Sequence, residues 1–279
     1  MRRTVVALLA AVLIGGAATA QDRGTLSVAT DVGFAPFAFT TPEGELVGFS
    51  VDLINELYPR MGYSGVDIVD VNFGSIFAGL YGERYDFILG MVTVTAERAE
   101  EMLFSEPYLP VDLSFLGLAT MEPLTGYEDL SGKSVAVNSG SISDTWVTEN
   151  ADTYGFTVQR YNNVSDAFQA VATNRATVAM AETPVVRYAA VGNSRLAEVL
   201  YIPTGRSFAF AFRPDDHELR ALVENALECA KLDGTVAEIH RKWFNAEPDA
   251  GFAAASVYVG YGAPGFRGYD LDYHTPSCD

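Results

Sequence analysis

The chain has 279 residues, with 36 acidic and 18 basic side chains and a formal net charge of −18. A surface so acidic repels nucleic acid and anionic lipid headgroups, so no nucleic-acid partner is expected. Two cysteines and three scattered histidines, His217, His240 and His274, do not make a structural zinc site, so no metal is expected.

Residues 1–20 read as an export signal. Arg2 and Arg3 form a positive start, Val5 to Ala18 is apolar, and Ala18-Thr19-Ala20 fits a small-x-small cleavage site that leaves Gln21 first. The apolar run falls short of the ~20 residues needed to span a bilayer. No cysteine follows it to carry a lipid, and no second run is long enough to span. The processed chain is expected to be soluble in an oxidising compartment.

Strands and helices then alternate. Thr25 to Thr30 reads as a strand. Ser50 reads as an N-cap, with Val51, Ile54 and Leu57 at helical spacing behind it. Val66 to Val71 is a strand, Ser75 to Leu80 a helix and Phe87 to Leu89 a strand. This order predicts an open α/β sheet. A second unit follows Gly132: strand Ser134–Asn138, a helix capped by Ser141 or Ser143, strand Thr157–Tyr161, helix Val164–Thr173, strand Thr177–Ala181 and a helix through Ala190. Phe208 to Phe212 reads as a strand, and Glu218 to Phe244 as one or two helices. The fold class predicted is α/β, in two lobes, with the chain crossing between them near Pro110–Leu113 and Pro203–Ser207. Proline and glycine there suit linkers.

Residues 246–279 form a Gly- and Tyr-rich tail containing Gly260-Tyr261-Gly262-Ala263-Pro264-Gly265. No helical pattern follows this string and no acidic ribose partner comes ~20 residues on, so it is read as loop, not a dinucleotide site. No GxSxG turn is present either. No cofactor and no catalytic residue are assigned.

One stretch is more specific. Gly90-Met91-Val92-Thr93-Val94-Thr95-Ala96-Glu97-Arg98-Ala99 runs into Phe104-Ser105-Glu106-Pro107-Tyr108. Together with Asp31 to Phe37, Gly48 to Leu53, Leu130 to Lys133 and Asp233 to Phe244, it resembles the polar amino-acid-binding family of extracellular solute-binding proteins of ABC importers. The resemblance covers roughly residues 24–245. It implies two lobes around a ligand cleft, residues 21–111 and 206–245 forming one and 112–205 the other. It also implies a periplasmic monomer that takes an amino acid or a related small carboxylate to a membrane permease.

The resemblance also implies a site. Arg98 would clamp the ligand's α-carboxylate with its planar fork, helped by Thr93 and by Ser141 and Ile142 at a helix start. Glu182 stands where relatives usually carry the Asp that holds the α-ammonium, and is longer by one methylene. Phe34 and Phe73 would sandwich the ligand side chain, and Asp31 would meet a basic one. Met91 would make the cleft floor less polar, and Asn138 would sit at its edge. Each has a plainer reading: a surface arginine for Arg98, an N-cap for Ser141, a helix-start carboxylate for Glu182, core packing for the phenylalanines, a turn bond for Asp31. A dehydratase of prephenate or arogenate on the same scaffold is the enzyme alternative, with Glu182 as acid. A ligand-presenting sensor is a third reading.

Cys229 and Cys278 are expected to pair, strapping the tail to the first lobe, because export permits oxidation and neither thiol has another partner. The alternative is a buried free Cys229 and a mobile tail.

Overall fold

The computed structural model describes residues 23–248 and 253–278, so the expected signal at 1–20 lies outside the described residues. Strand β1 (Thr25–Thr30) pairs in parallel with β4 (Gly65–Asp70) on one side and β5 (Phe87–Thr93) on the other. The small hairpin β2 (Phe39–Thr40) and β3 (Leu46–Val47) precedes α1 (Phe49–Arg60), and α2 (Phe73–Tyr81) links β4 to β5. Every residue of β5 is buried, as expected of a strand covered on both faces. The second unit contributes β8 (Ser134–Asn138), α4 (Ile142–Tyr154), β9 (Thr157–Tyr161), α5 (Val164–Ala172), β10 (Val178–Glu182) and α6 (Thr183–Gly192). Strand β8 lies parallel between β9 and β10.

Two long strands join the halves, and here the structure departs from the expectation of linkers. Strand β7 (Leu109–Leu118) contains Pro110–Leu113, and β11 (Leu196–Phe212) contains Pro203–Ser207. They pair with each other, antiparallel, from Leu196↔Leu118 to Phe208↔Leu109. The end of β11 continues onto β5 and β6 (Leu103–Phe104), while β7 continues onto β10. One sheet therefore runs β4-β1-β5-β11-β7-β10-β8-β9. The proline without an N–H is tolerated because the register shifts between Ile202 and Arg206.

A second departure concerns α1. Gly48, at φ 143°, takes the cap position, and Ser50 sits buried in the first turn with its hydroxyl unpartnered. A Cβ at Gly48 would overlap the Phe37 carbonyl, so glycine is required there.

Helices α7 (His217–Leu232) and α8 (Thr235–Phe244) close the first half. The tail holds no helix and only the bridge Tyr261↔Asp270 among its described residues. It is nevertheless well tied. Cys229 and Cys278 are bonded, with Cα atoms 5.4 Å apart. Glu224, Glu228 and Lys231 of α7 are buried beneath it. The Tyr258 N–H donates to Glu106 at 2.9 Å, the Gly262 N–H to Glu224 at 2.8 Å, and Lys231 to the Ser256 carbonyl at 3.1 Å. Buried charges persist only when partnered, and the tail backbone supplies partners.

Candidate functional site

The site is built where the carboxyl ends of strands from both halves meet. Asp31 follows β1, and its carboxylate accepts the Phe73 N–H at 3.0 Å at the start of α2. Burial pushes its pKa up to about 6, against the Phe73 N–H and the Asn138 amide, which favour the charged form. Asn138 ends β8; it is buried and its Oδ1 has no partner.

Arg98 lies on α3 (Ala96–Glu101), whose first N–H groups are capped by Thr95: the Thr95 hydroxyl accepts the Arg98 N–H at 3.2 Å. The guanidinium sits over the Phe73 and Phe77 rings, 5.5 and 5.3 Å from their centres. It donates to the Thr93 carbonyl at 3.0 Å and to the Gly140 carbonyl, in the other half, at 3.2 Å. Burial lowers its pKa to about 10, partly offset by the charges of Glu182 and Glu97. Thr93, at the end of β5, is buried with its hydroxyl unpartnered.

Glu182 ends β10 at the start of α6 and makes no side-chain cap bond. It is buried, and burial pushes its pKa up to about 7 despite the pull of Arg98. Ser141 caps α4: its hydroxyl accepts the Asp144 N–H at 3.1 Å. The structure thus brings Asp31, Phe73, Thr93, Arg98, Asn138, Ser141 and Glu182 together. Phe34, Met91 and Ile142 belong to the main apolar core; Phe34 packs on Phe37 at 5.9 Å. The Met91 N–H donates to the buried Tyr108 hydroxyl at 3.1 Å. Ile142 also lines a cavity of about 270 Å³ beside Arg98, shared with Thr95, Glu97, Trp146 and Arg206. A cavity of about 310 Å³ near Leu118, Met121 and Thr177 touches none of these residues.

Several contributors were not foreseen. Phe77 follows Phe73 by one helical turn, a spacing that could have flagged it. Gly33, Gly74, Gly140 and Ser165 carry the contact between halves. The Ser165 hydroxyl donates to the Gly33 carbonyl at 2.5 Å, and a Cβ on Gly140 would lie 3.3 Å from the Gly74 Cα. No signal in the sequence marked these. Among the described residues no group of His, Cys, Asp and Glu is arranged to hold a metal ion, and no helix is long and apolar enough to cross a membrane.

Known proteins share this architecture. The arginine-binding extracellular protein ArtP of Bacillus subtilis (strain 168) is 29% identical over 227 residues, covering 80% of this chain and 87% of that protein. An ancestral arginine-binding protein solved with arginine matches with a TM-score of 0.76 at 31% identity, covering 80% of this chain and all of that one. An ancestral amino acid-binding protein described as a precursor of cyclohexadienyl dehydratase matches with a TM-score of 0.72 at 30% identity, covering 80% of this chain and 96% of that one. These neighbours share the two-lobed α/β architecture. The model of the bacterial extracellular solute-binding proteins, family 3, matches residues 26–246, and the chain belongs to that family.

Proposed function

We propose that this protein captures an amino acid or a closely related small carboxylate between its two lobes, in the periplasm, and delivers it to the permease of an ABC importer. One observation carries the reading: the half-buried Arg98 feels the charge of the buried Glu182, and the buried Asp31 holds the start of the helix whose Phe73 ring lies under the arginine. Arg98 offers a planar fork for a carboxylate. Glu182 and Asp31 are held uncharged more readily than in water, and a cationic ligand group would restore their charge. An α-amino acid, above all one with a basic side chain, supplies all three complements. The names of the arginine-binding relatives agree with that class. Thr93 and Ser141 would assist at the carboxylate, Phe73 and Phe77 would form a wall, and Asn138 would border Asp31. Phe34, Met91 and Ile142 would act from the core side. Closure would move residues 112–205 against 21–111 and 206–245, bending β7 and β11. Titration calorimetry with L-arginine, other amino acids and their deaminated analogues tests this. Binding of none of them would remove the reading.

The enzyme alternative has one observation in its favour. Glu182 is buried with a pKa of about 7, suited to a general acid. Formation of an aromatic product from prephenate or arogenate would establish it.

A further inference from the structure

The tail lies beyond the part of the chain that matches the family, yet it packs behind the Arg98 helix. Helix α3 has six residues, too few to be stable alone, and depends on its neighbours. On one side, the Tyr81 hydroxyl donates to the Glu101 carbonyl at 3.3 Å. On the other, Arg267 of the tail donates to the Glu100 carbonyl at 3.4 Å and pairs with the Glu100 carboxylate. Ala263 is buried in the second apolar cluster, which also holds Ala99 of α3 with Phe73, Val94 and Met102, and Phe266 packs against this cluster. Gly268 presses so closely on the Leu103 side chain that a Cβ there would stand 2.8 Å from it.

The tail has the anchorage to act as a brace. Arg220 donates to the Gly268 carbonyl at 2.5 Å, the Gly262 N–H meets Glu224, and Cys278 is bonded to α7. The exposed Arg267–Glu100 pair contributes little by itself. Its effect comes from joining a marginal helix to a segment already fixed at both ends.

We infer that residues 253–278 are a positioning element of the ligand site, in which Phe266 and Arg267 hold α3 so that Arg98 faces its ligand. This rests on Arg98 being the carboxylate anchor, but the bracing of α3 is testable without any ligand. The experiment uses the full chain with Phe266→Ala and Arg267→Ala, and Phe266→Leu as the conservative rescue. Amide hydrogen exchange is followed in the peptide spanning 96–101, and L-arginine binding is measured by calorimetry with Arg98 intact and as Arg98→Lys. Exchange at α3 should rise by on the order of tenfold in Phe266→Ala and return towards normal in Phe266→Leu. L-arginine affinity should fall by on the order of tenfold with Arg98 intact and hardly at all in Arg98→Lys. Unchanged exchange at α3, or an equal affinity loss in both backgrounds, would overturn the inference. If the wild type does not bind L-arginine, the reading of the ligand fails, while the exchange result still decides whether the tail braces α3.

Discussion

The Arg98 guanidinium donates to the Gly140 carbonyl at 3.2 Å, a bond that joins residues 42 apart in sequence across the two lobes. The same guanidinium is shared with the Thr93 carbonyl and stacked over two phenylalanines. Thr93, Phe73 and Phe77 lie in the same lobe as Arg98 and orient it without Gly140, so a carboxylate entering an open cleft would lose little in ordering it.

Arg98→Ala is expected to abolish binding of carboxylate ligands and leave the fold intact. Losing one partner of a buried charge-assisted pair costs on the order of 2–5 kcal/mol. Calorimetry on the purified variant checks this, with circular dichroism as the control. Affinity within about threefold of wild type would take Arg98 out of the site.

Glu182→Gln should weaken amino acids more than their deaminated analogues. It should also change the pH dependence of stability. The Glu182 pKa is raised from 4.5 to about 7 by burial, so the folded chain holds this proton more tightly than the unfolded one. That contribution is complete below 4.5 and is lost as pH rises through about 7. The variant has no such loss, so without ligand its melting temperature should gain on wild type between pH 5 and pH 8, with an upper bound of roughly 3 kcal/mol. A difference that stays constant over this range would contradict the buried-acid assignment.

Gly74→Leu separates closure from folding. Gly74 lies in the first turn of α2, where a Cβ would stand 3.5 Å from the Ser139 carbonyl. Leucine favours a helix more than glycine by roughly 0.5–1 kcal/mol, so the ligand-free melting temperature should not fall. Its larger side chain would meet Ser139 and Gly140 and keep the lobes apart. Ligand affinity should drop by on the order of tenfold or more. Small-angle scattering with ligand should show a wider particle than wild type, and an equally compact one would argue against the contact.

Replacing both Cys229 and Cys278 by Ser should lower stability, with the greatest loss of protection in the tail. Closing a loop of 49 residues removes roughly 4 kcal/mol of unfolded-chain entropy in the simple model. Thermal denaturation and hydrogen exchange of residues 253–278 measure it. Non-reducing peptide mapping of protein recovered from the periplasm checks the bond itself, and two alkylatable thiols would refute it.

The order of strands and helices was legible because it rests on local pattern. The apolar run of β5, the Ser141 cap of α4 and the Val51, Ile54 and Leu57 spacing of α1 each lie within one strand or two helical turns. Arg98 stood out through its neighbours from Thr95 to Tyr108, and Glu182 through its place at a strand end. Tertiary structure decided the rest. Pro110 and Pro203 suggested loops, but the pairing of β7 with β11 outweighs that preference, since each strand supplies the other's backbone partners. Phe34 packs on Phe37 within the main apolar core, a placement its own sequence neighbourhood does not dictate. The tail reads as a loop-rich, weakly structured segment, yet it is held by the buried carboxylates of Glu106 and of Glu224 on α7, which no local pattern connects to it. Local preferences act over a few residues, whereas partners such as Arg98 and Gly140, or Glu100 and Arg267, meet only once the whole chain has folded.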